Sequence, residues 1–322
     1  MRWAELKAAL LEIGSTRLTG EPADRYISGS AAGPGAGGRG SVFFSEGTHR
    51  VRLSVADKSD VEIVHVGSGV ALLKLGDLCV EGHLEPAALH CPRQAYITVS
   101  GTCIFNCRYC PVPGLKGSRK TPDEVIDMIE DVRDQIDAIS VTSGVLCSIK
   151  EEVSCVGGLV GKLRAFGLPV GVSIYPEKST PDLLRQLGVA EVKFNIEAAT
   201  PELFRVMCPG LDYDLIWEVL ARSVELFGRC HVFSNLIVGL GETDEELETC
   251  IRRLTGIGVI PVLRPLNPAA SLKEWNRPSK ERLLKLLSIH EKALADACLD
   301  PCKALTMCVA CTGCDLVPGR DI

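Results

Sequence analysis

The chain has 322 residues, 46% of them hydrophobic and 24% charged, with a formal charge of −6 and a pI near 5.6. That length and apolar content suit one large α/β domain with additions, or two domains, and exclude a disordered chain. The acidic balance argues against a general nucleic-acid or membrane-surface binder, and no apolar run reaches the roughly 18–20 residues of a membrane span.

Residues 3–13, inside "MRWAELKAALLEIG", predict an amphipathic helix. Glu5, Lys7 and Glu12 interrupt the apolar pattern, as they would not in the core of a signal peptide, so the expected location is cytoplasmic. The stretch "SGSAAGPGAGGRG" over 28–40 reads as a loop. No GK[ST] follows it and no Rossmann strand precedes it, so a phosphate cradle is the weaker reading. The runs "SVFF", "THRVRLSV", "VEIVHV", "GVALLKL" and "LCVEGHL" follow, separated by Gly, Asp and Ser. They predict a small antiparallel sheet, which makes residues 1–92 an N-terminal module. His49, His65, His83 and His90 lie here without a metal-binding spacing.

From Gln94 the rhythm changes. Six Val/Ile-rich strands, "AYITVS", "AISVTS", "PVGVSIY", "EVKFNIE", "HVFSNLIVG" and "VIPVLRPLN", are each followed by helical patterns. Thr121–Glu124 and Thr243–Glu246 have the spacing of capping boxes. Continuous apolar strands covered by helices suit parallel pairing. The expected architecture is α/β: a partial (β/α)6 TIM-type barrel over 93–296, behind the small β-rich module and before a Cys-rich tail, 297–322. In such barrels chemistry sits at the C-terminal strand ends.

Fifteen cysteines are many for such a chain. In a reducing compartment they are metal ligands or small buried apolar residues more often than disulfides. Cys103, Cys107 and Cys110 follow the first barrel strand in "GTCIFNCRYCPVPG". Three thiols are one short of a closed tetrahedral zinc site, but they can hold three irons of a cubane and leave the fourth open. The tail "CLDPCKALTMCVACTGCDLVPGRDI" spaces Cys308, Cys311 and Cys314 as C-x2-C-x2-C, like the start of a bacterial ferredoxin run, with Cys302 or Cys298 as candidate fourth ligand. Zinc or a metal-free redox pair are the other readings of the tail. Among the scattered cysteines, Cys91 in "HCPR" draws notice because it lies close upstream of the first group.

The C-x3-C-x2-C spacing with Tyr109 before the last cysteine resembles the radical S-adenosylmethionine (SAM) superfamily. The resemblance covers about residues 94–295. It implies a [4Fe–4S] cluster on Cys103, Cys107 and Cys110 with SAM at the open iron, and reductive cleavage of SAM to a 5′-deoxyadenosyl radical that abstracts hydrogen. It also implies SAM contacts at successive strand ends. Thr142, Ser143 and Gly144 take the place of the motif that meets the SAM amino group, although "VTSG" departs from the common Gly-Gly-Glu form. Ser173, Asn195 and Glu197 correspond to ribose and amino-acid contacts. Gly239, Gly241 and Glu242 in "IVGLGET" resemble the adenine-contacting segment, and Arg264 is aimed at the SAM carboxylate or a substrate anion. Helix capping is the structural alternative for Glu242, and ion pairing for Glu197.

The strands and "VGLGET…PLNP" look like the biotin synthase/lipoyl synthase branch, and a C-terminal auxiliary iron–sulfur site is similar to the archaeal two-protein type of lipoyl synthase. The implied partners are a ferredoxin- or flavodoxin-type electron donor, a carrier-protein-bound substrate and a related radical SAM protein. Nucleic acid and membrane are not expected partners. A radical SAM dehydrogenase, mutase or protein-modifying enzyme with an electron-transferring tail cluster is the alternative. An iron–sulfur electron carrier and a structural zinc protein are the alternatives of other classes.

Overall fold

The computed structural model describes residues 2–28, 40–115 and 117–321. Most of the glycine-rich loop read at 28–40 lies outside the described residues. Helix α1 (Trp3–Ile13) buries Trp3, Leu6, Leu10 and Leu11 and stops at Gly14, whose φ of 72° is the left-handed turn that glycine adopts without penalty. Six strands follow: β1 (Ser15–Gly20), β2 (Ser41–Glu46), β3 (His49–Val55), β4 (Val61–Gly67), β5 (Val70–Leu75) and β6 (Leu78–Glu85).

The β-rich module is a closed barrel of order β1-β3-β2-β6-β5-β4, which differs from the antiparallel sheet expected. Strands β2 to β6 do pair antiparallel. β1 closes the ring by pairing parallel to both β3 and β4. Its sequence, "STRLTG", has no apolar alternation, so it carries no strand signal; its role is to pair two edges that would otherwise stand open.

The second half alternates regularly. β7 (Gln94–Thr98), α2 (Pro122–Glu130), β8 (Ala138–Thr142), α3 (Ile149–Leu163), β9 (Val170–Ser173) and α4 (Thr180–Gln186) come first. Then come β10 (Glu191–Lys193), α5 (Pro201–Met207), α6 (Tyr213–Phe227), β11 (Val232–Val238), α7 (Asp244–Gly256), β12 (Ile260–Pro265) and α8 (Lys280–Asp296). The strands are all parallel and lie in sequence order from β7 to β12, which is the partial (β/α)6 barrel expected. Both predicted capping boxes form, at Thr121–Glu124 and Thr243–Glu246. The core joins the strand residues Ile97, Val141, Val172 and Val192 to Val125, Ile129, Val156 and Leu159 of α2 and α3.

The last element, α9 (Met307–Cys311), belongs to a tail that crosses the inner face of this sheet. Gln94 of β7 holds both backbone groups of Met307, and Ser140 of β8 donates nothing to it but accepts its N–H at 3.0 Å. Glu191 of β10 accepts from the backbone of Leu305 and Thr306. A side chain at Gly171 of β9 would place Cβ 2.1 Å from Thr306 Oγ1, so that strand must present glycine to the tail. Leu283 and Leu287 of α8 and Leu316 of the tail join the core of the N-terminal barrel. Among the described residues no helix is long and apolar enough to cross a membrane.

Candidate functional site

The first cysteine loop leaves the C-terminal end of β7. It is held from several sides. Val145 N–H reaches Cys103 Sγ at 3.4 Å, Arg108 N–H donates to Met207 O, and Ser271 donates to Arg108 O through both its backbone N–H and its hydroxyl. Gly144 is required by packing: a Cβ there would stand 2.1 Å from Thr102 O. Tyr109 is buried with its hydroxyl 3.6 Å from Cys208 Sγ. Cys208 carries no sequence signal in "RVMCPG", yet it packs in the apolar cluster beside Cys107 and is the main cause lowering that thiol's pKa. Burial pushes Cys110 up to about 12.

This loop opens on a solvent-connected cavity inside the barrel. Cys103, Cys107 and Cys110 line it, and so do Cys91, Cys308, Cys311 and Cys314. Of the other residues read from the sequence, Tyr109, Thr142, Ser143, Gly144 and Ser173 line it, as do Asn195, Glu197 and Arg264. Ser143 is fixed by Glu152, a buried carboxylate of α3 that accepts from Ser143 Oγ at 2.5 Å, Ser100 Oγ at 2.8 Å and Arg119 Nη2 at 2.7 Å.

Glu197 has a φ of 57°, a left-handed conformation that costs a non-glycine residue of order 1–3 kcal/mol. Strand β11 holds it there: Glu197 N–H donates to Asn235 O and Glu197 O accepts from Ile237 N–H, each at 2.8 Å. Its carboxyl faces the cavity, with Oε2 unpartnered among the described residues. Burial raises its pKa to about 7, against the pull of Lys193. Lys193 was not picked out by sequence. It occupies the same face, two residues before Asn195, and its Nζ lies 3.3 Å from Cys308 Sγ and 3.5 Å from Asn235 Oδ1.

Three expectations change. Gly239, Gly241 and Glu242 are not among the residues lining the cavity. The Glu242 carboxylate instead accepts the N–H groups of Gly239 (2.7 Å) and Leu240 (2.8 Å) and pairs with Arg282 at 2.9 Å, so it closes its own turn. Arg264, expected to face a free anion, is buried with its Nε 2.8 Å from Asp315 Oδ1 of the tail, an ion pair without an aligned hydrogen bond. Cys302 and Cys298 are exposed and away from the cavity. Asp300 caps a helical turn that points Cys302 outward, with its Sγ 3.2 Å from Gly319 O.

At the tail end of the cavity, Cys311 and Cys91 pack together with Phe43. The neighbouring Cys91 thiol is the main cause lowering Cys311 to about 6; burial opposes it, and Arg50 and Arg52 assist. Arg50 also donates to Cys311 O at 3.0 Å and Arg52 N–H to Gly313 O at 2.7 Å. The donor sets fit iron–sulfur clusters. The loop offers three thiols beside free space, and the tail thiols are surrounded by Arg50, Arg52, Lys193 and Arg264, which offset the negative charge that thiolate ligation buries. Among the described residues no three His, Cys, Asp or Glu side chains converge on a single-ion position.

The radical SAM superfamily matches residues 97–254. The lipoyl synthase of Corynebacterium aurimucosum is 26% identical over 206 residues, covering 58% of this chain and 54% of that protein. The ribosomal protein uS12 methylthiotransferase RimO of Heliobacterium modesticaldum is 25% identical over 218 residues, covering 60% of this chain and 46% of that protein. The chain spans about half the length of these curated relatives. In fold it is similar to the FeFe-hydrogenase maturase HydG from Carboxydothermus hydrogenoformans, with a TM-score of 0.52 and 20% identity over 62% of this chain and 52% of that one. It is likewise similar to methylornithine synthase, with a TM-score of 0.52 and 17% identity over 61% of each chain. Through residues 97–254, with the three-cysteine loop at the mouth of a six-stranded partial barrel, this chain belongs to the radical SAM superfamily.

Proposed function

We propose that this protein is a radical SAM enzyme that inserts sulfur in lipoyl cofactor biosynthesis, as one component of a two-protein system. The observation that carries this reading is a single cavity lined by both cysteine groups, Cys103, Cys107 and Cys110 with Cys308, Cys311 and Cys314. In this reading the first group holds a [4Fe–4S] cluster with SAM, and the tail holds an auxiliary cluster. When bound, these groups supply one-electron hydrogen abstraction and a source of sulfur.

The chain's own residues bind and orient. Thr142, Ser143 and Gly144 present the edge of β8 to the SAM amino group, with Glu152 keeping Ser143 in place. Ser173, Asn195 and Glu197 offer polar groups to the ribose and amino-acid part. The buried walls around Tyr109, Val145 and Ile174 keep water from the reacting carbon. The similarity to lipoyl synthases supports an octanoyl chain on a carrier protein as substrate. A ferredoxin- or flavodoxin-type donor and a related radical SAM protein complete the system.

The test is anaerobic turnover with SAM, reductant, an octanoylated peptide and a related partner protein, read by product mass. A gain of about 32 Da per inserted sulfur supports the proposal; a loss of about 2 Da marks a dehydrogenase. Formation of 5′-deoxyadenosine without any thiolated product, while another substrate turns over, overturns the lipoyl reading but not the family.

A further inference from the structure

We infer that Cys91 is the fourth protein ligand of the auxiliary iron–sulfur cluster, joining Cys308, Cys311 and Cys314. This rests on the reading that the tail holds such a cluster.

Position is the first argument. Cys91 is 2% exposed and lines the same cavity as the three tail cysteines. It packs with Phe43 and Cys311 in one small cluster. The other two tail cysteines, Cys298 and Cys302, are exposed and do not line the cavity, and Cys302 sits in the turn that Asp300 caps.

The backbone holds that position. Cys91 O accepts from Ala88 N–H at 3.2 Å, and Cys91 bridges to Gln94 at the entry to β7. The Gln94 side chain in turn accepts Met307 N–H at 2.8 Å and donates to Met307 O at 3.1 Å. Cys308 is the next residue along the tail. The segment carrying Cys91 and the segment carrying the other thiols are therefore locked together through one glutamine, without any metal.

Charge is the third argument. A four-thiolate cubane carries net negative charge, and its burial needs nearby cations. Arg52 N–H and Arg50 Nη1 bind the tail backbone beside Cys311, and Lys193 reaches Cys308. His90 is the rival donor from the same segment. Its Nε2 is engaged with Arg52 at 3.2 Å and its ring tilts on Tyr96, but its Nδ1 has no partner among the described residues, so His90→Ala is the direct control.

The experiment uses the full chain carrying Cys103→Ala, Cys107→Ala and Cys110→Ala, purified and reconstituted anaerobically, with iron, sulfide and zinc measured alongside Mössbauer spectra. This background is expected to hold roughly four irons, those of one cubane. Adding Cys91→Ala leaves three thiolates, which can still hold a cubane with one open iron, so the expected result is a changed Mössbauer spectrum with iron falling toward about three per chain as the unligated iron is lost. Adding Cys302→Ala or Cys298→Ala should leave both unchanged. Cys91→Ser preserves the packing against Phe43 and is expected to keep part of the iron with an altered Mössbauer spectrum. An unaltered spectrum and full iron in Cys91→Ser overturns the assignment even where Cys91→Ala misfolds. Loss of iron in Cys302→Ala or His90→Ala, with Cys91 variants intact, overturns it too. A background that holds no iron, or holds zinc, removes the auxiliary cluster itself and the assignment with it.

Discussion

Lys7 Nζ lies 2.8 Å from both carboxylate oxygens of Asp321, and neither side chain is exposed to solvent. The pair joins α1 to the end of the tail. Asp321 also accepts from Trp3 Nε1 at 3.1 Å and from Val317 N–H at 2.8 Å, and Lys7 donates to Thr312 O. Removing one partner of a buried ion pair strands the other's charge, at a cost of about 3–5 kcal/mol. Lys7→Met is therefore expected to lose that much stability in denaturant titrations of the apoprotein. Because Thr312 lies between Cys311 and Cys314, the same variant should retain less iron on the tail than at the barrel mouth. Equal loss at both sites would show that the pair does not act through the tail.

Gly171 gives a more local handle on the tail. Its Cβ position is 2.1 Å from Thr306 Oγ1, and that hydroxyl donates to Glu191 Oε2 at 2.7 Å, so the threonine has no free direction to yield. Gly171→Ala should cost about 1–3 kcal/mol through overpacking. The expected phenotype is selective: iron on Cys103, Cys107 and Cys110 is kept and iron on the tail is lost. Wild-type iron content and a wild-type melting temperature would contradict the tail's close seating on β9.

Glu152 positions Ser143 without facing the cavity itself. Glu152→Gln keeps the shape but weakens charge-assisted bonds to Ser100, Ser143 and Arg119. Hydrogen bonds to a charged group are worth roughly 1.5–3 kcal/mol each at most, so a loss of about 2 kcal/mol in stability is expected. SAM affinity should fall as well, measured by equilibrium binding. Partial rescue by Glu152→Asp, but not by Glu152→Ala, would separate the carboxylate's role from simple packing. Unchanged SAM affinity in Glu152→Gln would refute a positioning role.

Much of the barrel was legible because its signals are local. The Thr–Glu capping boxes and the Val/Ile runs each depend on a few consecutive residues. So does the period of two that placed Asn195 and Glu197 on one face. The same period includes Lys193, but lysine is usually solvated, and its partners, the tail's Cys308 thiol and Asn235, come from other segments. Cys91 and Cys208 escaped assignment for a related reason. Each gains its meaning from a segment far away in the chain, Cys311 for one and Tyr109 for the other. Glu242 misled in the opposite direction: an acid after two glycines resembles a ligand-facing residue, yet the turn's own orphan N–H groups take its carboxylate. β1 was illegible because its edge-closing role needs no apolar pattern.

His290 is one acid-sensitive point of the scaffold. It is buried in α8, and neither ring nitrogen has a partner among the described residues. Burial lowers its pKa from 6.5 to about 3. In the unfolded chain the ring takes up a proton as pH falls through about 6.5, while the folded chain keeps it neutral until far lower. The unfolded state binds more protons in that window, so this contribution is intact above about pH 6.5 and is lost as pH falls, by at most about 1.4 kcal/mol per unit. His290→Leu removes the titration and keeps an apolar side chain in the core. Guanidinium titrations of both proteins at pH 7 and pH 5 should show the wild type losing about 1–2 kcal/mol more than the variant between the two conditions. Parallel losses would mean that the ring is solvated or hydrogen-bonded in solution, and that some other group governs the acid sensitivity.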